Sequence, residues 1–525
     1  MKRSIIRGGA IAAAAALALT ACSGGGEGGS SAGAEFTPTD TIRATLDIPA
    51  TFDPMLGLSL PDFVLARQSF DTLVRKDEGG LVPGLAASWD STPTSASFTL
   101  RDGATCSDGT PITATVVKNS LDALAGSAGS IVPQTFGGQV PTITADDAAG
   151  TVSLALETPW PYLVQALSTS STGIVCPAGL ADLEGLAAGH VEGAESGPYI
   201  QTAVEPGVRY TYELRDDYEM WPEWTSEVAG EPARTIEFVI SPDTSATTNL
   251  VLDGQLDIAK IMPESMDRFT DQAAYEVTPF LFSDFSLVFN EREGSPFVDQ
   301  QLRTAVAQLI DREEFGQTTM QGTGEIATTL VSSQTQCVTG DADALIPQDA
   351  AAAAEALAGT KIRLVAPQIV GTNGAGNTYL QEILRAAGAE VELENVDVGT
   401  WISTVLTEPD AWDLTVYADL NFVGSLSSPI TNFIGPGILE GGGNIGGAQA
   451  PEVERLFAES LTAADEEARC GALNAAADAI IADAHAVPLI TDSFIYAQRP
   501  GFQVTMLGGS LDDHIFRIVG DGSGE

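Results

Sequence analysis

From residue 41 onward, short stretches with a two-residue apolar period alternate with stretches of helical period. That alternation restricts the chain to sheets covered by helices, an α/β arrangement. Ile42, Ala44, Leu46 and Ile48 fall on one side of a strand. The loop at 51–54 follows, then a helix over 61–73 carrying Phe63, Val64, Phe70 and Leu73. Residues 151–156 alternate again and 159–167 have a helical pattern, with further strands at 210–214 and 235–240. A helix at 245–252 leads into a strand at 256–258. A second body begins near Glu291, with an amphipathic helix at 302–309 and a strand at 361–366. A helix at 377–387 ends at Gly388, strands follow at 391–396 and 413–417, and a long helix at 463–485 precedes a strand from Pro488. With 525 residues and 44% hydrophobic content, the chain can bury more than one core. It shows no repeat of solenoid length.

The N-terminus is an export signal in form. Lys2, Arg3 and Arg7 precede an apolar run over 11–19, too short to span a bilayer as a mature helix. The run ends in Leu19-Thr20-Ala21-Cys22, which resembles the lipobox of bacterial lipoproteins. The resemblance implies removal of residues 1–21 and acylation of Cys22. Residues 23–34 are rich in Gly and Ser with no apolar face, so 22–40 reads as a flexible tether. A body on such a tether is held at a membrane surface.

Export makes sense of the charge and the cysteines. The net charge of −47 repels a phosphate backbone and excludes nucleic-acid binding as a general role. The acidic residues are dispersed, which suits solubility more than a specific acidic surface. Beyond Cys22 remain Cys106, Cys176, Cys337 and Cys470, an even number that suggests disulfides. A zinc site is disfavoured, because no C-x-x-C pair exists and His190, His485 and His514 stand apart. No metal or cofactor is expected. Gly441-Gly442-Gly443-Asn444-Ile445-Gly446 matches a dinucleotide fingerprint in letters only, since no long strand leads into it and Pro451 opens the next helix too late. No H-E-x-x-H, G-x-S-x-G or P-loop is present, and no enzymatic activity is expected. His485 reads as structural, His190 and His514 as exposed, Trp89 and Leu100 as core.

One block of residues carries a specific resemblance. It runs from Phe70-Asp71-Thr72-Leu73-Val74-Arg75 through Leu81-Val82-Pro83-Gly84-Leu85-Ala86 and Ser88-Trp89. Phe98-Thr99-Leu100-Arg101-Asp102-Gly103 and Ser107-Asp108-Gly109-Thr110-Pro111 complete it. In order and spacing this resembles the family 5 solute-binding proteins of ABC transporters, whose members take peptides, nickel and oligosaccharides. Cys106 stands where that family usually has an aromatic residue. Leu252-Asp253-Gly254-Gln255-Leu256-Asp257-Ile258, Phe289-Asn290, Ile310-Asp311-Arg312 and Val487-Pro488-Leu489 extend the resemblance through most of the mature chain.

The resemblance implies a two-lobed periplasmic-binding-protein-like fold, type II in its enlarged family 5 form, with a hinge between the lobes. Lobe I would comprise 41–290 and 491–525, with a subdomain at about 77–195; lobe II would comprise 291–490. Two crossover strands near 285–290 and 487–495 would form the hinge. Lobe membership then suggests the pairs Cys106–Cys176 and Cys337–Cys470. Solute would bind between the lobes of a monomer, and the closed form would engage ABC permease subunits in the membrane. Asp53, Tyr417, Asp419, Asn421, Phe422 and Tyr496 are the cleft candidates. Asp419 is the candidate for the acidic residue that, in peptide-binding relatives, holds the peptide's α-amino group, although the family's D-x-x-D-P pattern is missing there. A peptide is the first expectation for the ligand. An oligosaccharide, haem or another small organic solute is the alternative, as is a surface receptor uncoupled from transport; three scattered histidines make nickel a poor fit.

Overall fold

The computed structural model describes residues 36–520, apart from 130, 190, 242, 271, 273, 340, 341 and 510–513. The export signal, Cys22, the tether and His190 therefore lie outside the described residues. One sheet of eleven strands runs through the chain. At one end lie Glu390–Val396, Lys361–Pro367 and Leu414–Asp419; at the other lie Ile258–Ile261, Thr41–Leu46, Thr235–Ile240, Arg209–Leu214 and Tyr199–Glu205. Between them stand two long strands, Glu276–Phe289 and Ala486–Gln498, paired antiparallel with each other. The short strand Glu325–Ile326 adds to the second of these.

Local sequence explains these elements. In Thr41–Leu46 the alternate residues Ile42, Ala44 and Leu46 are buried, as a half-covered strand requires. Arg43 on the other face is fastened to Asp257, whose carboxylate also holds Arg499. The two long strands are buried on both faces over much of their length. They accordingly read as nearly continuous apolar runs, Leu287-Val288-Phe289 and Val487 with Leu489-Ile490. Their pairing is interrupted by register shifts between Leu281 and Asp284 and between Phe285 and Ser286. Aspartates cap many helices: Asp182, Asp243, Asp299, Asp311, Asp349, Asp397 and Asp465 each accept a backbone N–H from the first turn. Part of the acidic excess thus serves local structure, as N-cap acceptors do.

A second sheet, with strands in the order Ala86–Thr92, Ser95–Leu100, Thr151–Ala155 and Thr142–Asp146, packs with the helix Ala114–Ala125. Its core includes Phe98, Val117, Leu121 and Val152, together with the buried Cys106–Cys176 disulfide. The other disulfide joins Cys337 to Cys470, so both expected pairs are the observed ones. No helix among the described residues is long and apolar enough to cross a membrane.

Several expectations are corrected. Trp89 and Leu100 are half-buried at the rim of the second sheet rather than core. His514 is 1% exposed and lies among the rings of Phe494, Tyr496 and Phe516. The helix expected over 159–167 shrinks to Leu163–Ala166, because Pro159 and Pro161 shape a turn ahead of it. The strand expected at 256–258 begins at Ile258 instead. His485 follows the long helix Glu466–Ala482, and its Nδ1 lies 2.7 Å from Glu291 Oε1 while Arg303 holds the other oxygen at 3.1 Å. The glycine run at 441–446 is a loop. A Cβ on Gly446 would stand 2.1 Å from the Phe289 carbonyl oxygen, so this glycine permits close backbone packing and cradles no phosphate.

Candidate ligand-binding cleft

A cavity of about 900 Å³ lies where the long central strands meet the loop after Leu414–Asp419, the hairpin Val74–Asp77/Gly80–Pro83 and part of the second sheet. The hairpin Val74–Asp77/Gly80–Pro83 contributes Lys76 to Leu81, and Trp89 and Ser91 come from the second sheet. Pro161, Val164 and Gln165 form one wall. The floor is the strand Glu276–Phe289, through Pro279 to Phe282 and Asp284, with Thr491 beside it. Ser332, Gln334, Thr335 and Gln336 face these from the segment after Glu325–Ile326, and Leu420, Asn421 and Gly424 come from the loop after Leu414–Asp419. The lining mixes aromatic faces with amides, hydroxyls and a few charged groups, as small-molecule sites do.

Segments that line or adjoin the cavity also touch one another. Gln165 Nε2 donates to the carbonyls of Val423 at 2.6 Å and Gly424 at 3.3 Å. The rings of Phe63 and Phe422 meet edge to face with centroids 4.4 Å apart. Tyr162 and Ala166 belong to the same apolar cluster as Val423, Leu426 and Ile430. The Gly508 amide donates to Glu78 Oε1 at 3.1 Å. At Gly424, whose φ is +65°, a Cβ would approach Lys76 Nζ to 2.2 Å, so the loop needs glycine both for its backbone and for its contact.

Of the six cleft candidates, Asn421 lines the cavity. It adopts φ of 38°, its Oδ1 accepts the Ser425 amide at 3.0 Å, and its Nδ2 donates to Thr335 Oγ1 at 3.3 Å. The other five lie elsewhere. Asp53 caps a short 3-10 helix by accepting the Met55 amide, and burial raises its carboxyl above the usual range. Tyr417 packs against Trp401. Phe422 closes the roof, and Tyr496 is buried among Phe280, Phe494 and His514. Asp419 is buried with its oxygens already engaged: Asn421 N and Ser428 Oγ donate to one, at 2.7 and 3.2 Å, and Asn432 Nδ2 to the other at 3.1 Å. It organises its own loop.

Asp284, which sequence reading passed over, does reach the cavity. Thr491 Oγ1 donates to its Oδ1 at 2.6 Å. Burial pushes its carboxyl well above the usual carboxylate range, against the opposing pull of the Thr491 hydroxyl; the negative charges of Asp419 and Glu325 push the same way as burial. These groups share one row across four strands, with Asp419 opposite Asp284, Asp284 opposite Thr491, and Thr491 opposite Glu325.

This architecture matches a known family. Residues 80–433 match the model of the bacterial extracellular solute-binding proteins, family 5 Middle. The chain belongs to the family 5 solute-binding proteins. Among solved members, a substrate-binding protein from Microbacterium hydrocarbonoxydans, complexed with 4-hydroxybenzoate hydrazide, is 56% identical, with a TM-score of 0.84. The match covers 91% of this chain and 100% of that one. The periplasmic murein peptide-binding protein MppA of Escherichia coli is 28% identical over 321 residues, 54% of this chain and 55% of that protein, so the match spans about half of that relative's length. The fold also matches Haemophilus influenzae OppA, in complex with RPPGFSPFR, at 19% identity with a TM-score of 0.73 over 92% of this chain and 100% of that one. The fold is the mixed α/β, two-lobed one of family 5, an extracytoplasmic binding family.

Proposed function

We propose that this chain is the capture subunit of an ABC importer, and that its cargo is a small aromatic acyl compound of the hydrazide type. The observation that carries the ligand class is the 56% identity, along the whole of a binding protein, to the one complexed with 4-hydroxybenzoate hydrazide. Two features of the cleft support it. Trp89, Phe280 and Phe282 offer ring faces beside the hydroxyls and amides of Thr491, Gln334 and Asn421. Asp419, the candidate anchor for a peptide amine, is occupied by its own loop. In this reading the lobes are 41–290 with 491–525, and 291–490, and the strands Glu276–Phe289 and Ala486–Gln498 are the hinge. Solute favours the closed form through contacts made only there. Cys22 holds the protein at the outer face of the membrane, where it meets its permease as a monomer.

Titration calorimetry with 4-hydroxybenzoate hydrazide, set against tri-alanine, tests the ligand class. Binding of the hydrazide with no heat from the peptide is expected. Saturating hydrazide at about a hundred times its Kd should also stabilise the fold by about 2.7 kcal/mol. Peptide binding without hydrazide binding overturns the ligand class and returns the reading to the peptide carriers. For the anchor, metabolic labelling with a fatty acid should tag the wild type and not Cys22→Ser; equal labelling refutes it.

A further inference from the structure

We propose that Asp284 is the specificity-determining acceptor of this cleft, reading a nitrogen-bearing N–H or NH₂ terminus on the ligand and discriminating against ligands that lack one. The inference rests on the cleft being the binding site, as set out above.

The argument is geometric. Asp284 is 7% exposed, yet it lines the cavity floor. The two neighbouring carboxylates of its row are engaged away from the cavity lining: Glu325 accepts the Ser333 amide at 2.8 Å and the Ser333 hydroxyl at 2.6 Å, and Asp419 accepts three donors of its own loop. Asp284 is the member of the row that lines the cavity, steadied by the Thr491 hydroxyl at Oδ1 and by the Ser332 backbone N–H. An N–H donor brought against this carboxyl favours its ionised, accepting form, whereas an anionic ligand adds a further negative charge beside Asp419 and Glu325. An acyl hydrazide presents an amide N–H and a terminal NH₂. The corresponding methyl ester keeps the ring and carbonyl and has neither, and the free acid brings a negative charge.

Thr491 is the positioning residue. It lies on the partner strand, opposite Asp284, where the pairing of the two long strands shifts register. The shift places Asp284, rather than Ser283, opposite Thr491, because Phe282 and Ser283 together stand against the single residue Asp492.

The test is calorimetry on the full chain with 4-hydroxybenzoate hydrazide, methyl 4-hydroxybenzoate and 4-hydroxybenzoate. Wild type is expected to prefer the hydrazide over the ester by about tenfold or more, the range of a hydrogen bond to a charged or buried acceptor, and to bind the acid most weakly. The near-isosteric Asp284→Asn should compress the hydrazide-to-ester ratio below about threefold and raise affinity for the acid, with ester affinity moving far less than hydrazide affinity. Thr491→Val should reduce the ratio less. Ester binding reports that each variant is folded, because a merely structural role would weaken all three ligands together. A wild-type ratio retained in Asp284→Asn overturns the proposal, and so does equal loss of all three. Where wild type binds none of the aromatic probes but does bind tri-alanine, the hydrazide class fails separately. Asp284→Asn must then erase discrimination between tri-alanine and its N-acetyl form; unchanged discrimination overturns Asp284 as the acceptor.

Discussion

Replacing Gln165 by alanine removes the polar clasp that joins the wall at Leu163–Ala166 to the loop at 420–424. In the structure one amide nitrogen donates at 2.6 Å to Val423 O and at 3.3 Å to Gly424 O. The first is a good hydrogen bond and the second a long one. At a net 0.5–1.5 kcal/mol for the strong bond and less for the weak, with the Val423 carbonyl left short of a donor, the loss amounts to about 1–2 kcal/mol. In the proposed lobe division Gln165 and the loop at 420–424 belong to different lobes, so an open form lacks these contacts and the loss falls on the closed state alone. The closed-to-open equilibrium should therefore move by the same amount and raise the apparent Kd by about 5–30-fold. Gln165→Glu should do more, because it sets a carboxylate against two carbonyl oxygens. Calorimetry with the hydrazide gives the Kd, thermal unfolding without ligand gives the stability, and small-angle scattering gives the compaction on binding. The expected result is weaker binding with nearly unchanged apo stability and incomplete compaction at subsaturating ligand. A Kd within twofold of wild type refutes the clasp. An apo stability loss as large as the affinity loss also refutes it, because the bond would then serve the fold and not closure.

Two further perturbations test the scaffold. Replacing the buried Cys106–Cys176 pair by alanines opens a loop with a separation of 70 residues, and removing Cys337–Cys470 opens one of 133. Loop entropy sets upper values of about 4 and 5 kcal/mol, and urea unfolding should show each loss at about 2–5 kcal/mol; a loss below 1 kcal/mol for either pair contradicts its structural role. Asp492 stands next to Thr491 with its Oδ1 buried and without a hydrogen-bond partner, and burial pushes its carboxyl up to about 7. A folded-state value above the unfolded one means stability that is full below about pH 4 and lost as pH rises through 7, up to about 4 kcal/mol, less whatever solvent reaches this half-buried site. Asp492→Asn should remove that part of the slope and so gain on wild type from pH 4.5 to pH 8, and parallel unfolding curves across that range refute it.

The sequence made the scaffold legible because its signals are local. Alternation at Ile42, Ala44 and Leu46, the stop at Gly388 and the block from Phe70 to Pro111 each depend on a few adjacent residues, and the strands and helices stand within a few residues of where these signals put them. The disulfide pairing followed from lobe membership, again through the family resemblance. The site was legible only in part. Asn421, chosen for its place after the strand Leu414–Asp419, lines the cavity. Asp53 and Asp419 carry the right chemistry in the right loops, yet one caps a helix turn and the other ties its own loop, and neither use leaves a mark in the local pattern. Of the rings that bury His514 only Phe516 is near in sequence, and Phe494 and Tyr496 arrive from another strand.

Asp284 was hidden for a stronger reason. The run Phe280-Leu281-Phe282-Ser283-Asp284-Phe285 reads as an apolar strand with a polar interruption, and a two-residue period assigns its faces by counting. The register shift between Leu281 and Asp284 breaks that count, so facing cannot be carried through the run from either end. The same shift accounts for the position of the acceptor. Where the pairing is regular, at Leu287 and Val288 opposite Val487 and Ala486, the strands are uniformly buried. Irregular pairing interrupts the ladder within the two strands proposed as the hinge, so one local irregularity both brings a carboxyl to the cavity and breaks the strand pairing beneath it. A ligand held by Asp284 is then held at the pivot, close to Thr491 on the partner strand. Its binding free energy bears on the relative position of the two strands, and not only on the walls that close above them.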